Sequence, residues 1–82
     1  MDNLIRELAD YLSKTKEINE LVILGVLDII KKHNNLQTYE EAYSKLLEYY
    51  NNQVMLLILG RVISYISENT ISLYNMIKNE QI

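Results

Sequence analysis

Apolar residues recur three and four positions apart along most of this chain. Nowhere do they alternate with period two for long enough to make a sheet strand. Leu4, Ile5, Leu8, Tyr11 and Leu12 mark a first helix over about residues 3–13, with Asp2 or Asn3 as its cap. Ser13-Lys14-Thr15-Lys16 reads as a polar joint, and Thr15 as the cap of a second helix running to about His33. Ile18, Leu21, Val22, Ile29 and Ile30 mark the buried side of that helix, widened by Ile23, Leu24, Val26 and Leu27. Lys31, Lys32 and His33 then fall in its last turn, where positive charge suits the negative helix end. Asn34 to Gln37 form a loop. Thr38-Tyr39-Glu40-Glu41 has the spacing of a capping box, in which threonine and glutamate satisfy each other's free backbone N–H groups. A third helix follows, with Tyr39, Ala42, Tyr43, Leu46, Leu47 and Tyr50 along one side and Tyr49 off that side.

Asn51-Asn52 interrupts the pattern, and Val54 to Leu59 is then apolar on every face, as a helix buried all round would be. Beyond it Leu56, Leu59, Ile63, Ile66, Thr70, Leu73 and Ile77 alternate three and four apart, a heptad seam that crosses Ser67 to Thr70 without changing phase. The spacing favours one long C-terminal helix over residues 53–79. At about 1.5 Å per residue it would be ~40 Å long. A folded chain of 82 residues has a radius of gyration of roughly 12 Å, so such a helix would overrun it. The alternative is a break at Ser67 to Thr70, with a short fifth helix folded back. The fold class is therefore all-α, a compact bundle of four or five helices in a single domain, residues 1–82. The expected overrun makes Leu56, Leu59, Ile63, Ile66, Leu73 and Ile77 the self-association surface of a homodimer.

Composition narrows the function classes. With no cysteine there is neither a disulfide nor a thiolate zinc site, and with no proline and two glycines the joints should be short. The start of the chain is charged at once and lacks the apolar stretch of a signal peptide. The longest apolar run, Val54 to Gly60, is too short to span a membrane. These features point to the cytoplasm. Frequent Asn, Ile, Lys and Tyr point to A/T-rich codons, hence a low-GC bacterium or its phage. Net charge is −3, and the acids gather in the first half: residues 1–41 hold five Lys/Arg against eight Asp/Glu. The basic residues never cluster beyond Lys31-Lys32, which disfavours nucleic acid.

The stock of catalytic side chains is thin. The single histidine, His33, reads as a helix-end residue, and no Gly-x-Ser-x-Gly elbow surrounds any serine. No His-x-x-x-His or Glu-x-x-His spacing marks a metal site. The first-turn acids Glu17, Glu20, Glu40 and Glu41 are accounted for by the helix dipole. Gly25 and Gly60 sit inside helices, where they would allow close approach. Arg61, the one charge between Glu48 and Glu68, reads as a side chain reaching past the core to solvent. Neither catalysis nor a cofactor is expected.

Tyr39-Glu40-Glu41-Ala42-Tyr43 resembles the second helix of a tetratricopeptide repeat, and Leu21 to Gly25 is similar to Leu56 to Gly60 at an offset of 35 residues. The gap from Gly25 to Ala42 is too long for that repeat and its other signature positions are missing, so the similarity implies stacked helical hairpins only. What remains is a small non-enzymatic regulator that binds another protein, as inhibitors, antitoxin-like proteins and adaptors do. Its expected contact residues are Glu17, Glu20, Glu40, Glu41, Glu48 and an exposed Tyr49, facing a partner with a basic site. Two alternatives are a helix-turn-helix DNA-binding regulator, built on the second and third helices, and a bacteriocin-immunity-like helical protein.

Overall fold

Local hydrogen bonding explains where each helix starts and stops. The structure is a computed structural model that describes residues 2–80. It contains α1 (Asp2–Ser13), α2 (Glu20–Asn34), α3 (Tyr39–Tyr49), α4 (Gln53–Glu68) and α5 (Thr70–Glu80), with no strand among the described residues. Asn3 lies within α1, and the expected capping by Asp2 concerns a side chain outside the described ones. The second helix starts later than the sequence suggests. Thr15 turns back to donate its hydroxyl to the Tyr11 carbonyl at 3.0 Å. The cap is Asn19, whose Oδ1 accepts the Val22 N–H at 3.0 Å. Ile18 and Ile23, both part of the core, stand at the N′ and N4 positions of a hydrophobic staple.

Asn35 ends α2 in the left-handed region (φ 55°), a conformation asparagine tolerates better than most residues. Thr38 Oγ accepts the Glu41 N–H at 3.1 Å, the first half of the capping box. In the second half, the Glu41 carboxylate accepts the Thr38 hydroxyl in place of its backbone N–H. Asn51 and Asn52 form a tight joint, and Asn52 Oδ1 accepts from Val54 and Met55 to start α4.

The long C-terminal helix is corrected to two. Asn69 leaves helical geometry (φ −129°, ψ 31°), and α4 and α5 meet at 90°. Both residues at the break bond back onto the end of α4: Asn69 Nδ2 donates to the Tyr65 carbonyl at 3.0 Å, and the Thr70 hydroxyl donates to that of Ile66. The Asn69 N–H donates to the same two carbonyls, at 2.9 and 3.3 Å, so the side chains add to a stop that the backbone has already capped. The longest dimension of the molecule is 32 Å and its radius of gyration 11.7 Å, so a straight helix would have overrun it. Folding back instead buries Leu73 and Ile77. No single described helix is long and apolar enough to cross a membrane.

One core joins all five helices. It is built from Leu4 and Leu8 of α1, Ile23, Val26, Leu27 and Ile30 of α2, and Ala42, Leu46 and Tyr49 of α3. Met55, Leu59, Val62, Ile63 and Ile66 of α4 and Leu73 and Ile77 of α5 complete it. α2 packs on α1 and α3, α4 on α1, and α5 on α3 and α4. The heptad seam therefore belongs to the interior of one chain. Leu59, Ile63, Ile66, Leu73 and Ile77 are each at most 7% exposed and Leu56 is half-buried, so they cannot serve as the self-association surface assigned from the sequence.

Two helices are rotated relative to expectation. Leu21 is 76% exposed, because the Ile23–Val26–Leu27–Ile30 stripe is the one that faces inward. On α3 the inward stripe is Ala42–Leu46–Tyr49, which leaves Leu47 and Tyr50 on the outside. Gly25 is a close approach: a Cβ there would lie 2.0 Å from the Tyr11 hydroxyl oxygen. Gly60 is not, since nothing lies within 4 Å of its Cβ position.

Replacing Leu73 by alanine should cost roughly 2–5 kcal/mol in denaturant unfolding. Replacing exposed Ile71, two residues earlier, should change stability by less than about 0.5 kcal/mol. Equal effects would contradict the folded-back α5.

Candidate protein-binding surface

The expected contact residues occupy three separate places. Glu40 and Glu41 are exposed in the first turn of α3. Their neighbour Tyr39 donates its hydroxyl to Asp28 Oδ1 at 2.6 Å, which brings the start of α3 against the outer side of α2 and adds a third carboxylate. Lys31 lies over the Tyr39 ring, 4.2 Å from its centre. Glu20, which begins α2, accepts the Ser72 hydroxyl of α5 at 3.0 Å. Glu17 is exposed in the segment just before it. Glu20 and Asp28 are eight residues apart on α2, about 12 Å along the axis. Glu48 lies at the other end of α3 from Glu40, again about 12 Å away along the axis.

The carboxylates also differ in what they do inside the chain. Asp10 pairs with Lys14 at 3.2 Å, Glu48 with Lys45 at 3.5 Å, and Glu7 with both Lys32 and His33. Among the described residues, Glu17, Glu20, Asp28, Glu40, Glu41 and Glu68 have no cationic group within ion-pair distance. Asp28 was not singled out from the sequence. As the one acid amid the apolar run of α2 it carried a signal, but only the Tyr39 contact shows what it stands beside.

Tyr49 is a correction. It is 7% exposed, and its hydroxyl donates to Asn34 Oδ1 at 3.3 Å. It cannot act as the exposed contact expected of it, because the Ala42–Leu46–Tyr49 stripe turns it inward; Tyr50 is the exposed neighbour, at 45%. Tyr49 lies at the side of a polar cleft of about 420 Å³, together with His33, Asn34, Lys45, Glu48 and Asn52. Each of these except Asn52 is engaged with another side chain: His33 with Glu7, Asn34 with Tyr49, Lys45 with Glu48. Asn52 caps α4. No three His, Asp or Glu side chains among the described residues gather to hold a metal ion. Arg61 reaches outward, and its guanidinium donates to the Lys16 carbonyl at 3.4 Å.

Glu7 ties α1 to the end of α2. His33 Nε2 lies 3.1 Å from its Oε1, and Lys32 Nζ is 3.2 Å from both carboxylate oxygens. The hydrogen bond with His33, then that with Lys32, holds the Glu7 carboxyl below its ordinary value of 4.5. A depressed carboxyl adds stability above the unfolded-state value, and that stability is lost as pH falls through the lower folded-state value. Urea midpoints of Glu7→Gln should therefore lie below those of the parent at neutral pH. The gap should close as pH drops below 4.5, and a gap constant with pH would rule the link out.

No protein family, curated protein or solved structure matches this chain.

Proposed function

We propose that this chain is a non-enzymatic regulator that docks on another protein and blocks or redirects it, as a small inhibitor, antitoxin-like protein or adaptor does. The supporting observation is the set of exposed carboxylates that the fold leaves without cations. Asp28, Glu40 and Glu41 form its main edge, and Glu17 and Glu20 an outlying point. Unpaired acids on a rigid edge attract a basic partner surface, such as one that otherwise holds nucleic acid, and speed the encounter. Glu48 contributes less, being neutralised by Lys45. The same edge disfavours the helix-turn-helix alternative, in which Tyr39-Glu40-Glu41 would lead the recognition helix toward phosphates. No cofactor enters this function, and its place is the cytoplasm of a low-GC bacterium or of a phage-infected host.

Affinity capture compares the parent with an Asp28→Asn, Glu40→Gln, Glu41→Gln variant, after circular dichroism has established equal helix content. A partner from a low-GC lysate should be retained by the parent, released by raised salt, and bound about tenfold more weakly by the variant, a difference of about 1.4 kcal/mol. Equal retention would refute the acidic edge. A salt-sensitive submicromolar shift of generic duplex DNA would refute the protein-binding function and favour the DNA regulator.

A further inference from the structure

The exposed apolar stripe of α3 begins at the acidic edge. Glu40, Tyr43, Leu47 and Tyr50 lie within a quarter turn of one another on the helix, so a carboxylate heads a row of two tyrosines and a leucine. Leu47 and Tyr50 are 46% and 45% exposed. The row forms one wall of a largely apolar recess of about 260 Å³. Ile63 and Ser67 of α4 and Thr70 of α5 stand on the other side, and no residue lining the recess is charged.

The rim is different. Glu40 precedes Tyr43 by three residues, a spacing that makes side chains neighbours on a helix surface. Glu68 follows Ser67 directly, and with Ser67 and Thr70 it borders a shallow groove across the α4–α5 elbow. An acid therefore flanks each wall, and neither has a cationic group within ion-pair distance among the described residues. The cations of α2 to α5 are engaged elsewhere. Lys31 and Lys78 lie over the rings of Tyr39 and Tyr74, Lys32 pairs with Glu7, Lys45 with Glu48, and Arg61 meets the Lys16 carbonyl.

Size and charge select the occupant. Small-molecule sites enclose roughly 300–1,000 Å³, so this recess is on the scale of a single large side chain. A chain that inserts such a side chain brings its flanking residues past Glu40 and Glu68, where cations find carboxylates without a partner. We infer that the recess receives the apolar anchor of a basic segment of the partner protein, with Lys or Arg on either side of the anchor meeting Glu40 and Glu68. This rests on the protein-binding function proposed above. It supplies what an acidic edge lacks, because buried anchors carry most of the energy of an interface while rim charges mainly steer the encounter.

The chain has no tryptophan, so tryptophan emission reports on an added peptide alone. The probe is a peptide with one tryptophan among alanines and two lysines on each side of it. Its emission should shift to the blue on binding, and salt should weaken the binding. Ser67→Leu fills the recess from an exposed position without changing charge. It should weaken binding about tenfold at unchanged circular dichroism, and Glu40→Gln with Glu68→Gln should do the same while reducing the salt response. Asp28→Asn, off the recess, should leave peptide binding unchanged. Affinity capture separates this inference from the function it rests on. A lysate partner lost by the Asp28→Asn, Glu40→Gln, Glu41→Gln variant but retained by Ser67→Leu would keep the acidic edge and remove the anchor site. Equal retention by the triple variant would remove the edge itself. The anchor site is also overturned by the absence of a blue shift, by undiminished peptide binding to Ser67→Leu, or by equal binding of a peptide with glutamates for lysines. Parent dimers that Ser67→Leu dissociates would give the recess to a second copy instead.

Discussion

The break at Asn69 is the constraint on which the rest of this fold depends. Without a disulfide, a chain of this size rests on one small core, and every large aliphatic side chain matters to it. Each one withdrawn from water contributes about 1.5–3 kcal/mol. A straight C-terminal helix would carry Leu73 and Ile77 beyond the reach of α1 to α3. Bending by 90° returns them to the core. The Asn69 N–H and two short side chains, those of Asn69 and Thr70, make the bend tolerable by taking up carbonyls at the end of α4.

The sequence carried the number and kind of the helices because their signals are local. Period, caps and the absence of proline act within a few residues. The joints at Thr38 and Asn51-Asn52 are visible for the same reason. The direction each helix faces is different, since it is decided by neighbours that the chain order does not reveal. α2 offered apolar residues on most sides, and only packing between α1 and α3 selects Ile23, Val26, Leu27 and Ile30 over Leu21. α3 offered a tyrosine face and an Ala42–Leu46–Tyr49 face, and the smaller Ala42 permits the closer approach. The heptad seam misled for a related reason. Its phase runs unbroken through Ser67 to Thr70, because residues on either side of a bend can both face one core.

The candidate surface was partly legible. Sequence identifies which residues are acidic and where helices begin, and hence that Glu20, Glu40 and Glu41 lie in first turns. It does not reveal which acids already have cations. Glu7 and Glu48 look no different from Glu40 along the chain, yet they are engaged by Lys32, His33 and Lys45. The pairing of Glu7 joins positions 26 residues apart, and the Tyr39–Asp28 contact spans 11. Both depend on how α1, α2 and α3 are set against each other.

The order in which the helices touch has a kinetic consequence. α1, α2 and α3 pack as consecutive neighbours, and so do α4 and α5; α1 with α4, α3 with α5 and the Glu20–Ser72 contact of α2 with α5 close longer stretches of chain. Chain-closure entropy is therefore small for most of the assembly, as in other helical proteins that fold in microseconds to milliseconds. Contacts between chain neighbours define two groups, an N-terminal trio and a C-terminal pair. The Ser72–Glu20 and Arg61–Lys16 contacts, spanning 52 and 45 residues, bridge the two groups. With neither proline nor cysteine in the sequence, it is at these non-local contacts that chain-closure entropy slows the fold.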